Sequence, residues 1–373
     1  MAPPLASNPT DITPQERLAR LRLARTPYVG PVAFGQLLER FGSATAAIAA
    51  LPELTRRGGR VVRPTAAATI EREAEALSRV GGKMLVWGEA GYPAMLMTVS
   101  DAPAVLSVCG DADRLTGRCV AIVGARNASA NGQRFATRLA ADLSAAGLVV
   151  VSGLARGIDT AAHRGATPSA TVAVVAGGVD VVYPAENRDL HAAICGGGGA
   201  VVSEMPLGLE PRAPHFPRRN RIISGLALAI VVVEATLRSG SLITARAALD
   251  QGREVLAVPG FPLDPRASGP NALIRDGAQL VTCADDVLAA ISGVAPTLRD
   301  PAHAPLKREI PSADQVDAVR EKVLCGLRSE PTPVDELVRR CNVSASILLA
   351  VLLELELSGR LQRHPGNQVS LVF

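Results

Sequence analysis

From about Lys83 to Ser292, short β-branched runs alternate with stretches of helical period. The runs are CVAIVGA, LVVVSG, TVAVVAGG, AVVSE, LAIVVVEA and EVLAVPG. Helical spacing falls between them near Gly132–Ala146, Thr160–Gly165 and Arg188–Cys195, after Asn220, and near Leu242–Gln251. Strands apolar on both faces and separated by helices predict a parallel sheet covered on each side, so the fold class is α/β. Each run ends in Gly, Ser, Glu or Pro followed by polar residues. In an open sheet of this kind the ligand crevice lies at those carboxyl ends.

The flanks have a different texture. From Glu16 to about Leu77 apolar residues recur at three and four spacing, broken by short turns. Gly30-Pro31 opens one helix, ending at Phe41, and Gly42-Ser43 opens another. The pair is similar to a helix-hairpin-helix (SAM-like) element, and it also fits a plain helical packing module. Residues 1–15, rich in Pro, Ser and Thr, read as mobile. Residues 294–312 carry Pro and Ala without a period and read as a linker. Beyond them come helices at Val316–Leu327, Val334–Arg340 and Ser344–Ser358, then a hairpin around Pro365-Gly366-Asn367, a winged-helix arrangement. The expected organisation is a helical module over 1–78, an α/β core over 79–293, the linker, and a winged helix over 313–373. No period of 20–50 residues repeats, which argues against a solenoid.

Composition narrows the function classes. The chain has 373 residues, 48% hydrophobic and 20% charged, a globular balance. Its purest apolar run, Leu226–Val233, is far short of a membrane span, and no secretory signal opens the sequence. The six cysteines form no CxxC pair, so neither zinc nor a disulfide framework is expected, and a reducing cytoplasm fits. Net charge is +4 with pI near 8.9, compatible with a nucleic-acid partner. Lysine occurs only at Lys83, Lys307 and Lys322 among 39 basic residues, so any anion site must use arginine, whose planar fork suits phosphate. Aromatics are 3%, too few for an extended base-stacking platform.

Four strand-to-helix turns carry candidate chemistry. VGARNAS offers Gly124, for close approach to the backbone, and Arg126 beside a helix N-terminus. It is not GxGxxG, and the next strand ends at Ser152 rather than an acid, which argues against NAD; no Walker motif is present either. SGLARGID places Gly153 and Gly157 about Arg156, with Asp159 and Thr160 able to cap the helix that follows. His163 just beyond is expected to be satisfied inside the fold. HFPRRNRIISG puts Arg218, Arg219 and Arg221 with Asn220 at or before the first turn of a helix, behind Phe216, which can stack. Cations there oppose the helix dipole unless an anion is bound. Ser239, Gly240 and Ser241, with Thr244 one turn on, form a hydroxyl-lined nest. Together the four turns could line one phosphate-accepting groove. No recognised catalytic motif appears, and Glu234, at a strand end, reads as a structural hydrogen-bonding group.

VGARNAS, SGLARGIDTAAH, AGGVDVVYPAENRDL, SEMPLG, HFPRRNRIISGLA, VVVEATLRSGSLITARAALDQGREVLAVPG and NALIRDGA occur in that order. Over roughly residues 80–290 this set resembles the DprA family, also called Smf, of bacterial DNA-processing proteins. The resemblance implies an extended Rossmann-like core that forms homodimers, binds and protects single-stranded DNA and helps load RecA recombinase, in natural transformation and recombination. It implies no essential cofactor, no metal and no covalent reaction. It also implies that the Gly124–Arg126 turn and the FPRRNR loop line the DNA groove, completed by the SGLARGID and SGSLITA turns. A more distant likeness, to Rossmann-like hydrolases of nucleoside monophosphates, is the alternative, but VEATLRSGSLITA lacks their PGGxGTxxE pattern. The last helix of the winged segment, SASILLAVLLELELSG, has two glutamates and no Lys or Arg. It predicts packing or protein contact rather than insertion into a DNA groove.

Overall fold

A computed structural model describes residues 12–57, 59–293, 313–364 and 366–372. The expected linker, most of the expected mobile tail and Pro365 of the hairpin tip lie outside these. The helices are α1 (Pro14–Ala24), α2 (Pro31–Phe41), α3 (Ala44–Arg57), α4 (Ala67–Arg79), α5 (Ala94–Met97), α6 (Ala130–Ala145), α7 (Ile158–Gly165), α8 (Arg188–Gly196), α9 (His215–Leu226), α10 (Gly240–Asp250), α11 (Ser268–Arg275), α12 (Ala284–Ile291), α13 (Ala313–Gly326), α14 (Val334–Cys341) and α15 (Ala345–Leu357). The strands are β1 (Gly82–Val86), β2 (Val105–Gly110), β3 (Cys119–Val123), β4 (Val149–Ser152), β5 (Thr171–Val174), β6 (Ala200–Ser203), β7 (Ala229–Val232), β8 (Glu254–Ala257), β9 (Gln279–Leu280), β10 (Thr332–Pro333), β11 (Leu361–His364) and β12 (Gln368–Leu371).

The central sheet runs β1-β2-β6-β5-β4-β3-β7-β8-β9. From β6 to β9 all pairings are parallel, and β2 joins β6 antiparallel and carries β1. The central parallel strands β3 to β7 are short, mostly apolar and buried along their length, because both faces are covered. Val120 and Ile122 of β3 face a core completed by Leu139 and Leu143 of α6 and Ile158 of α7. Ala121 and Val123 face the opposite core, with Ile222, Ile223 and Leu226 of α9. Strand order reverses between β3 and β7, so their carboxyl ends mark the switch point of the sheet. No helix among the described residues is long and apolar enough to cross a membrane.

The chain divides into two compact units. One holds the sheet. The other joins the helices of Ile12–Glu71 to the C-terminal winged helix. The N-terminal turns follow the residues that open them: Gly30 and Pro31 start α2, and Gly42 ends it with φ 74°. In the winged helix, α13–α15 pack with β11 and β12 about Val323, Leu337, Leu348, Val351, Leu355 and Val369. The glutamates of α15 are interior. Glu354, 1% exposed, pairs with Arg320, which also donates to Arg57 O at 2.9 Å. Glu356 pairs with Arg363 at 2.7 Å. Burial raises both carboxyls, against the pull of Arg320, Arg40 and Arg57 on Glu354 and of Arg363 on Glu356. Within this unit α15 packs on α2 and α3. The helix that resembles a recognition helix is therefore a packing helix.

Candidate functional site

At the carboxyl ends of β3, β4 and β5 the structure opens a cleft of about 350 Å³. Its charged lining is Arg126, Arg156 and Arg219 with one carboxylate, Glu186, and Phe216 and Tyr183 supply the aromatic wall. The Arg126 guanidinium lies over the Phe216 ring, 5.1 Å from its centroid. Tyr183, half exposed, faces the same ring with centroids 5.8 Å apart and planes at 57°. Phe216 thus contacts both a cation and a second aromatic.

Arg219 forms the floor. It is 5% exposed, and its Nε has no hydrogen-bond partner among the described residues. Burial pulls its guanidinium down to about 10; Asp159 opposes this and Arg126 adds to it. It stays charged at neutral pH, as a buried cation that Asp159 only partly offsets. Asp159 is also buried, and its carboxylate accepts from the backbone N–H of Gly153 at 3.2 Å and of Ala155 at 3.4 Å. The amides that would have made a phosphate nest are thereby occupied, so the positive charge of the cleft comes from arginine side chains. Gly153 leaves room for that guanidinium: a Cβ on it would sit 1.5 Å from Arg219 Nη1.

Five expected site residues therefore meet in one place: Arg126, Gly153, Arg156, Phe216 and Arg219. The others are placed differently. Gly124 lies under α7: a Cβ would come 2.6 Å from Ile158 Cγ1, so its role is packing rather than ligand approach. Ser152 is fully buried and donates to Ile122 O at 2.6 Å. Gly157, with φ 76°, abuts Ala125 O and is the N-cap of α7, the position expected of the Asp159–Thr160 pair. Asn220 Nδ2 donates to Gly240 O at 3.3 Å, away from the cleft. Ser239 caps α10 and bonds the Ser241 hydroxyl at 2.8 Å, while Ser241 and Thr244 are buried. The hydroxyl turn does not line this cleft.

The FPRRNR segment differs from expectation in its helix start. α9 begins at His215, since Pro217 is tolerated within a first turn, so the arginines stand beyond that turn. The dipole argument for an anion falls away, and the buried charge of Arg219 takes its place. Arg218 is exposed and lies 3.9 Å from Glu204. Arg221 points inward to a close pair with Glu204, a bond to Asp101 O, and Asp101 Oδ2 at 3.5 Å. It is structural. Sequence reading missed Tyr183: YPAENRDL read as a turn and helix start, and nothing local signals that its aromatic faces Phe216.

The titratable groups nearby are committed to structure. Glu234 accepts from Ser129 N at 2.8 Å and Ser129 Oγ at 2.6 Å, fixing the cap of α6. His163 is buried; its Nδ1 donates to Thr171 Oγ1 at 2.7 Å, because that hydroxyl donates onward to Val150 O. Burial, helped by Arg219, lowers His163 to about 3. Between pH 6.5 and 3 the unfolded chain binds a proton there that the native chain does not, so stability falls as pH falls through this window. At pH 5 the loss from His163 is about 2 kcal/mol. His163→Gln is expected to show a smaller drop in melting temperature from pH 7 to pH 5 than wild type. An equal drop in calorimetry would remove His163 as a source of acid sensitivity. Among the described residues no group of three or more His, Cys, Asp and Glu is placed to hold a metal ion.

The family model for DNA recombination-mediator protein A matches residues 83–292. The DprA-like N-terminal HHH domain matches 14–76 and the DprA winged helix domain 307–367. Protein Smf of Escherichia coli is 41% identical over 284 residues, 75% of each chain. DNA processing protein DprA of Streptococcus pneumoniae is 46% identical over 200 residues, 53% of this chain and 70% of the relative. The X-ray structure of the S. pneumoniae protein superposes with TM-score 0.61 at 34% identity, covering 75% of this chain and 98% of that one. DNA processing protein A of Helicobacter pylori, whose structure is described for its single-stranded DNA binding mode, gives TM-score 0.53 at 27% identity, covering 58% of this chain and 97% of that one.

Proposed function

Because this chain belongs to the DprA/Smf family of DNA recombination mediators, we propose that the cleft at β3, β4 and β5 binds single-stranded DNA. The observation that carries this reading is Arg219, a buried cation only partly offset, at the floor of a cleft rimmed by Arg126 and Arg156. A phosphate supplies the missing charge with bidentate geometry. Phe216 and Tyr183 offer ring faces on which an unpaired base stacks, which a paired base inside a duplex cannot do. Contacts of this kind are largely indifferent to sequence.

The reading extends to the biological role: protection of a single strand and its delivery to RecA, in the cytoplasm, during transformation and recombination. It assigns the cleft no covalent step, since Glu234 and His163 are engaged in structure. It also assigns a homodimer through the core. Edge strand β9, with Leu280 44% exposed, and the segment after β8, with Phe261 70% and Leu263 83% exposed, offer apolar surface to a second copy.

The test is anisotropy of a labelled single-stranded oligonucleotide across salt, competed with duplex, beside light scattering for mass. Expected are preferential single-strand binding, a negative log–log salt slope and a dimer mass. Phe216→Ala is expected to weaken binding by about 1–3 kcal/mol while leaving the salt slope unchanged. Binding no tighter than to duplex, or a Phe216→Ala protein with wild-type affinity, would count against the cleft.

A further inference from the structure

A second concave surface lies on the outer faces of α6 and α7, and the cleft does not include it. It is a groove of about 420 Å³. α6 contributes Arg134, Thr137 and Arg138, and α7 contributes Thr160 and Arg164. The two helices touch at its base: a Cβ on Gly165 would come 2.0 Å from Thr137 O. Three guanidinium groups line the groove and no carboxylate does. All three arginines are exposed. Arg134 bonds only the neutral Asn131 side chain, and Arg138 reaches Asp142 at a loose 3.7 Å with its own side chain 86% exposed. Like charges gathered along one groove repel one another and concentrate a polyanion.

The groove and the cleft share a wall. Thr160 lines the groove, and its hydroxyl donates at 2.7 Å to the carbonyl of Ala155, which lines the cleft next to Arg156. The Thr160–Ala155 bond at the first turn of α7 therefore links the lining of the groove to that of the cleft. Along α6 the face from Arg134 to Ala141 adds about 10 Å of path, at ~1.5 Å per residue.

We infer that the strand bound in the cleft continues over α7 into this groove, where Arg134, Arg138 and Arg164 hold its phosphates. This rests on the cleft reading. No aromatic residue lines the groove, so its share of binding is electrostatic and indifferent to base. The cleft anchors a short segment by stacking and a buried cation. The groove adds affinity only for strands long enough to reach it.

The test uses the full chain and two oligonucleotides, of about 5 and about 15 nucleotides, within the range of compact single-strand sites. Arg134→Ala, Arg138→Ala and Arg164→Ala are combined in one protein. On the short oligonucleotide this variant is expected to match wild type. On the long one it binds more weakly, and its log–log salt slope is shallower by about 2, or ~0.7 for each of three phosphates. A fourfold rise in salt then costs the variant roughly 16-fold less affinity than wild type. The triple lysine replacement, which keeps the charges, is expected to restore the slope; a structural lesion would not be restored this way. Equal slopes for wild type and the alanine variant on the long strand, with binding still lost in Arg219→Ala, overturn the groove alone. Wild type that binds neither oligonucleotide overturns the cleft reading, and the groove with it.

Discussion

Arg221→Ala is expected to lower the stability of the sheet-containing unit by about 3–5 kcal/mol, because it removes the close partner of the buried Glu204 carboxylate. Arg221 is 8% exposed and sits between Glu204 and Asp101. Burial works to lower its guanidinium, but Glu204 and Asp101 outweigh this and hold it above the usual arginine value. Its backbone carbonyl accepts from Gln251 Nε2 at 3.0 Å, so the same residue joins α9 to the end of α10. In a domain of about 200 residues the loss corresponds to a melting temperature lower by roughly 10 °C. Binding of a single strand, measured well below the transition, should be near wild type. A folded, equally stable variant with impaired binding would reverse the assignment and return Arg221 to the DNA site.

Gly153→Ala is expected to do the opposite, with a large loss of binding and a modest loss of stability. The added methyl would stand 1.5 Å from Arg219 Nη1, so the guanidinium has to leave the floor of the cleft. Displacing one charge-assisted contact costs about 2 kcal/mol, near thirtyfold in Kd. Arg219→Ala should weaken binding by a similar factor. The informative protein is the double variant. If the methyl acts only through Arg219, then Gly153→Ala adds nothing to the binding defect once Arg219 is gone, and the stability cost of the methyl shrinks as well. Two independent, additive defects in the anisotropy titration would show that Gly153 contributes to binding by another route.

These two residues show what could be read from the chain and what could not. The parallel sheet was legible because fully buried strands leave unbroken apolar runs, and CVAIVGA and LAIVVVEA form adjacent strands β3 and β7. The segments that carry Arg126, Arg156 and Arg219 were legible because strand ends in such a sheet converge. The direction of a side chain was not. Arg219 and Arg221 stand two apart on α9, and two residues on a helix point to different sides. One faces the cleft and the other meets Glu204, a partner 17 positions away. Tyr183 was missed for the same reason, since its nearness to Phe216 depends on long-range packing. The glycines misled in part. A conformationally free residue at a turn suggests ligand approach, yet Gly124 makes room for Ile158. The acidic, lysine-free sequence of α15 did signal packing, and the structure supplies the arginines that match its glutamates.

The winged helix and the N-terminal helices share one unit, although the whole sheet lies between them in sequence. α3 ends at Arg57 and α13 starts at Ala313. At about 5–20 residues per second, translation separates these elements by roughly 10–50 s. During that interval α2 and α3 are already made, while the helix that packs on them has yet to be synthesised. The sheet can close first, as an insertion completed inside an unfinished host. A nascent chain released before α15 would carry a folded core and an uncovered N-terminal face, and that face is where chaperone binding or protease cleavage of truncated products should concentrate.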